Sequence, residues 1–179
     1  MAEDHLSHNN YFKKELKHTM KIILVLFIST FLSFNVFAAG SDSSGSSDAS
    51  MYDEGVKLVK RAGKLEKKDK ADKAKKLYSQ AFKKFEKAYS KDKKNPDILN
   101  YLGFTSRKSG NFTEAEDYYL KGLSLDPKHN GINEYLGELY VQTNRIDKAN
   151  ERLEILKTCN CDEFQELELI IKTRGTKIY

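Results

Sequence analysis

Pro96 to Pro127 reads PDILNYLGFTSRKSGNFTEAEDYYLKGLSLDP, and its spacing of small, large apolar and turn residues recurs 34 residues further on. Leu102-Gly103 returns as Leu136-Gly137, Ala115 as Ala149, Tyr119 as Leu153, and Gly110 as Asn144. Such a period fits one helix-turn-helix unit per repeat. Asn95-Pro96 is a helix start, since Asn accepts from orphan backbone donors and Pro at the first helical position gives up a donor that is unpaired anyway. The first helix then runs to about Ser109, and Gly110 supplies the left-handed conformation that stops it. Gly103, without a side chain, lets a neighbouring helix come close. Asn111 with Glu114 restarts the chain in the manner of a capping box. Ala115, Tyr118, Tyr119 and Leu123 form one apolar stripe on the second helix, and Asp126-Pro127 ends the unit.

Leu102-Gly103, Ala115, Tyr119 and Pro127 resemble the tetratricopeptide repeat, whose pattern asks for Leu-Gly in the first helix, an early Ala and then an aromatic in the second, and a closing Pro. The resemblance implies an all-α solenoid of stacked helix pairs. One pair cannot bury its own apolar face, so about three repeats and a capping helix make the smallest stable object. A first, irregular repeat is expected over residues 51–95, with Tyr52, Val56, Val59 and Ala62-Gly63 as first helix and turn, and Ala81, Phe85 and Ala88 as second helix. Gly63 and Ala81 are eighteen apart where Gly110 and Ala115 are five apart, so this repeat carries thirteen extra residues. They are rich in Lys and Ala and lack Pro, which predicts that the second helix extends backwards as a protruding basic arm rather than a loop. Its cations are Lys64, Lys67, Lys68, Lys70, Lys73, Lys75 and Lys76. Repeats follow over 96–129 and 130–163. Phe164, Leu167 and Ile171 then share one face of a capping helix over 163–173, ended by Gly175, with 174–179 as a frayed tail.

The N-terminal segment reads as an address. Lys13, Lys14, Lys17 and Lys21 precede an apolar run over 22–37 broken by Ser29, Thr30, Ser33 and Asn35, and Val36-Phe37-Ala38 offers a signal-peptidase site. The expectation is a cleaved signal peptide over 1–38, with Met20 a possible true start, and an exported or periplasmic protein. The alternative is a retained anchor over 22–37, although that run is short of the roughly 20 residues a span needs. Residues 39–50, rich in Ser and Gly, read as a flexible linker.

The formal charge of +5 conceals two ends. Lys57 to Lys94 holds sixteen Lys and Arg against five Asp and Glu, an excess of +11, whereas the rest of the chain beyond residue 38 holds eleven against eighteen, or −7. The basic part suits anionic lipid or surface polymer, unless its lysines merely solvate long helices. Nucleic acid is not expected, since no nucleic-acid motif accompanies the charge.

The family resemblance further implies that first-helix residues line a groove for an extended peptide or helix. Position by position, that groove receives Asp97, Asn100, Phe104, Arg107 and Lys108 from one repeat, then Gly131, Glu134, Glu138, Val141 and Gln142 from the next. Phe104 is the expected anchor, and Arg107 and Lys108 the expected charge pairing. The family's two-carboxylate clamp is not matched, because Gly131 and Tyr135 stand where basic residues are needed. Cys159 and Cys161 leave three readings open: a local disulfide, a redox or intermolecular pair, or ligands for a soft metal. Their turn also resembles the close of the last repeat in small exported bacterial tetratricopeptide proteins. His129 lies in an inter-repeat turn without a nucleophile beside it, and the sequence holds no phosphate-binding glycine loop or GxSxG elbow. Function is thus expected to be non-catalytic: an adaptor for an envelope protein, with a lipid- or polymer-binding organiser and a thiol-active factor as alternatives. No cofactor is expected, and homo-oligomerisation is open.

Overall fold

The computed structural model describes residues 46–176, so the leader, the anchor alternative over 22–37 and the last residues of the tail lie outside the described residues. Among the described residues there are seven helices, and none is long and apolar enough to cross a membrane. They are α1 (Ser46–Glu66), α2 (Ala71–Lys91), α3 (Pro96–Ser109), α4 (Phe112–Leu125), α5 (Asn130–Gln142), α6 (Ile146–Leu156) and α7 (Asp162–Lys172). Helices pair in sequence as α1/α2, α3/α4 and α5/α6, and α7 packs on both α5 and α6.

Each first helix stops in the same way. Gly110 takes φ 91°, its N–H donates to Arg107 O and the N–H of Asn111 donates to Ser106 O. Asn144 (φ 57°) and Asp69 (φ 54°) repeat this, with Arg145 N–H donating to Tyr140 O and Lys70 N–H to Leu65 O. Arg174 (φ 49°) does so at the end of α7, where Gly175 N–H donates to Ile170 O. Three of these helix ends are satisfied by one left-handed residue and the end of α7 by two, Arg174 and Gly175 (φ 75°), each with a six-to-one bond closing behind.

Two expectations for the first repeat are corrected by this cap. The turn lies at Asp69, not Gly63, so the extra residues are shared: α1 continues past Gly63 to Glu66 and α2 starts ten residues before Ala81. The insertion is a two-helix extension rather than a lone arm, because Ala62, Ala74 and Tyr78 bury one another along it with Leu65, Leu77 and Phe104 at the margin. α1 also begins at Ser46, inside the segment read as linker.

The repeat residues form the core. Ala81, Phe85 and Ala88 pack with Ile98, Leu99 and Leu102 between the first two pairs. Ala115, Tyr119 and Leu123 pack with Ile132, Leu136, Leu139 and Ala149 between the second and third, and Ile170 of α7 joins them. The glycine at 103 has the expected role: a Cβ there would lie 2.4 Å from Cε1 of Tyr119. At Gly137 the corresponding neighbour is Leu167 of α7, at 2.6 Å.

The helix starts are more varied. Asn95 Oδ1 accepts from the N–H groups of Asp97 and Ile98, as expected. The capping box at Asn111 does not form, since its side chain makes no cap bond and Glu114 instead accepts from the Ser106 hydroxyl at 2.9 Å. His129 caps α5, its Nδ1 accepting from Ile132 N–H while Nε2 meets Asp97 Oδ1 at 3.1 Å. Cys159 and Cys161 are joined by a disulfide in the bend that carries the chain from α6 into α7.

Candidate functional site

The first helices and α7 converge on a half-enclosed pocket of about 200 Å³. Its walls come from Val59, Gly63 and Glu66 of α1, Tyr78 of α2, Phe104, Arg107 and Lys108 of α3, Glu134, Tyr135 and Glu138 of α5, and Glu166 of α7. Phe104, Arg107, Lys108, Glu134 and Glu138 are also residues named for the expected groove, but their side chains are engaged within the molecule. Arg107 is 5 % exposed and forms a buried ion pair with Glu138, which is 4 % exposed. Its guanidinium also lies 5.5 Å from the centre of the Phe104 ring and 5.7 Å from that of Tyr135. Lys108 Nζ pairs with Glu66 Oε1 at 2.8 Å, and the Tyr78 hydroxyl donates to Glu66 Oε2 at 2.8 Å. The two cations expected to meet a partner are thus engaged inside the molecule, tying α3 to α5 and to the end of α1.

Phe104 is not an exposed anchor. It is half-buried between Tyr78 on α2 and Tyr135 on α5, with ring centres 5.8 and 4.9 Å away. Asn100 is buried, its amide facing Gly131 so closely that a Cβ there would lie 2.9 Å from Nδ2, and its Oδ1 has no partner. Val141 is buried in the core, against the turn at Gly175. Asp97 and Gln142 are exposed and do not line the pocket.

Glu134 is 2 % exposed, and its neighbours set its state. Burial first, then the hydrogen bond to Glu166 and the charges of Glu138, Glu166 and Glu163, push its pKa up to about 10. At neutral pH it is therefore an uncharged acid donating to Glu166, and its Oε1 is left without a partner. Burial also raises Glu138, against the lowering effect of Arg107 and Lys108. Among the described residues no group of three or more His, Cys, Asp and Glu is placed to hold a metal ion.

The arm lysines, Lys64, Lys67, Lys68, Lys70, Lys73, Lys75 and Lys76, are all exposed around the α1–α2 turn. A second opening, a cleft of about 570 Å³ between α1 and α2, is lined by Lys57, Leu58, Arg61, Lys83 and Lys87, with Glu54 and Lys84 paired across it.

Glu66, Tyr78, Tyr135 and Glu166 are site residues that sequence reasoning missed. Tyr135 was visible as a departure from the clamp pattern. Glu66 and Glu166 are separated by 100 residues and carried no shared signal.

Residues 96–129 match the family model of the tetratricopeptide repeat. The chain carries a tetratricopeptide repeat. The stack of pairs built around that repeat is similar to the Yersinia enterocolitica type III secretion chaperone SycD in complex with a peptide of the translocator YopD. The TM-score is 0.52 at 19% identity, over 75% of this chain and 94% of that one. A second structure of the SycD translocator chaperone gives 0.53 at 16% identity, over 76% and 94%. These likenesses are of fold. No curated protein matches the sequence.

Proposed function

We propose that this protein is a non-catalytic adaptor that holds a peptide or helix of another protein on the face formed by α1, α3, α5 and α7. The observation that carries the reading is the pocket itself, to which all four of these helices contribute side chains. A tetratricopeptide stack is a scaffold whose second helices support the first, leaving one face for recognition. The SycD structure of similar fold contains a bound peptide of YopD, which supports the same use of the fold here. Phe104 and Tyr135, with the exposed first-helix residues Asp97 and Gln142, are the contacts proposed for the ligand. The lysine-then-apolar leader supports an envelope location, and the mass of the mature chain tests cleavage after Ala38.

The test is site-specific photo-crosslinking in the native host. A crosslinker at Gln142 or Phe104 is expected to trap a partner polypeptide that the same probe at Leu120, exposed on the second helix of its repeat, does not trap. Equal trapping at all three positions removes the groove from the function.

The cleft between α1 and α2 favours a second reading, in which an anionic lipid or polymer binds Lys57, Arg61, Lys83 and Lys87. Binding of that kind is screened beyond about 8 Å at physiological ionic strength and is lost at high salt, whereas groove contacts with an apolar component persist.

A further inference from the structure

We infer that the pocket on the first-helix face receives the charged end of a lysine or arginine side chain from the peptide that the groove holds. This rests on the adaptor reading and adds the chemistry of the ligand.

Charge pairing in the pocket leaves one vacancy. Four carboxylates face it, and the chain supplies two cations. Arg107 is taken by Glu138 and Lys108 by Glu66. Glu134 of α5 and Glu166 of α7 are left together without a cation, and burial with the bond to Glu166 keeps the proton on Glu134. Two carboxylates so placed cannot both ionise without a cation between or beside them. Glu134 Oε1 is buried and unpartnered, a hydrogen-bond acceptor already stripped of water. An ammonium or guanidinium entering the pocket supplies the missing charge beside Glu166, and a small turn of the Glu134 carboxyl brings Oε1 to its N–H.

The walls suit an organic cation rather than a metal. A hard divalent ion wants about six oxygen ligands, and no group of three candidate ligands is assembled among the described residues. Aromatic faces do line the space. Phe104 and Tyr135 already carry Arg107 at cation–π distance, and Tyr78 carries Lys108 at 5.5 Å. A volume of about 200 Å³ admits a side-chain terminus with part of its stem but not a helix.

A proton must leave when the cation arrives. The groups facing Glu134 are Tyr135 and Glu138 on its own helix, Tyr119 on α4, and Glu163 and Glu166 on α7. Arg107 and Lys108 on α3 and Glu66 at the end of α1 line the same pocket but are already paired. Ionising Glu134 in the complex releases one proton per ligand, so affinity rises with pH by up to tenfold per unit while Glu134 is protonated in the free protein.

The experiment titrates the purified protein with the pentapeptides Ala-Ala-Arg-Ala-Ala and Ala-Ala-Lys-Ala-Ala, and with the isosteric citrulline pentapeptide. Calorimetry at pH 6 and pH 8, in two buffers of different ionisation enthalpy, counts the protons. The expected result is binding of the cationic peptides at least tenfold tighter than citrulline, tightening toward pH 8 with release of one proton. Glu134→Gln should weaken binding at least tenfold and abolish the pH dependence, with Glu166→Gln as the second variant. Equal binding of citrulline, or Glu134→Gln binding as well as the parent, overturns the inference, and the citrulline comparison needs no variant. If either happens while crosslinks at Gln142 persist, the adaptor survives and only its ligand chemistry is wrong. Loss of the crosslinks removes both.

Discussion

Replacing Gly103 by Ala and Gly63 by Ala makes the same chemical change in two first helices of the stack, with opposite results. At Gly103 the new methyl would sit 2.4, 2.6 and 2.8 Å from Cε1, Cδ1 and Cζ of Tyr119. Carbon atoms settle at about 3.5–4.0 Å, so the ring must retreat by roughly 1 Å. Tyr119 is fully buried among Ala115, Leu136 and Leu139, and has nowhere to go. Overpacking of this kind costs about 1–3 kcal/mol, and a rigid ring in a closed core belongs at the upper end. Helix propensity returns about 1 kcal/mol, leaving a net destabilisation of about 2 kcal/mol. At Gly63 nothing lies within 4 Å of the added atom, so only the propensity gain of about 1 kcal/mol remains. The two variants should therefore differ by about 3 kcal/mol, roughly 10 °C in melting temperature for a domain of this size. Circular dichroism melts and urea titrations of both read it directly. Adding Tyr119→Leu, the residue type of the equivalent position Leu153, should restore part of what Gly103→Ala loses. If Gly103→Ala melts at or above the parent, the close approach of α3 and α4 has been misjudged.

Arg107→Met should destabilise the fold by about 3–5 kcal/mol, because it leaves Glu138 buried and alone, whereas Arg107→Met with Glu138→Leu should recover most of that loss in urea titration. Glu134→Gln should raise the melting temperature at pH 8 far more than at pH 4. The folded protein holds that proton up to about pH 10 while the unfolded chain releases it near its ordinary value of 4.5, so Glu134 draws stability down as pH rises between the two, and Gln cannot ionise. Replacing Cys159 and Cys161 by Ser should cost about 1–2 kcal/mol, as for a very short closed loop, and leave groove crosslinking intact. Crosslinks lost in that double variant, with the helices still folded, would return a thiol role to consideration.

The stack was legible where a residue type has one physical use. Gly103 and Gly110 were readable because close approach and a positive φ each demand a missing side chain. Asn95-Pro96 was readable because donor chemistry at a helix start is local. The same logic misplaced the first turn: Gly63 was the glycine in view, but a mid-helix glycine is tolerated, and Asp69 takes the left-handed position that Gly110 takes in the next repeat. At the site, first-helix positions were legible as lining, but their exposure was not. Whether Arg107 points at a ligand or at Glu138 depends on the spacing of α3 and α5, which a one-dimensional pattern does not contain. Glu166 needed the position of α7. The acidic residues of that helix are unremarkable until Leu167 docks on Gly137 and sets its neighbour beside Glu134.

The order of packing along the chain has a consequence for how the molecule assembles. Helices α1 to α6 pack chiefly on their sequence neighbours, whereas α7 packs more on α5 than on α6, and α3 also meets α5. Local pairings close short loops and form quickly, so the three hairpins can be built independently. The pocket is different, since it joins the end of α1 to α7 and exists only when every intervening pair is in register. A peptide seated there would act as a fastener between the two ends of the stack, slowing hydrogen exchange in helices it does not touch.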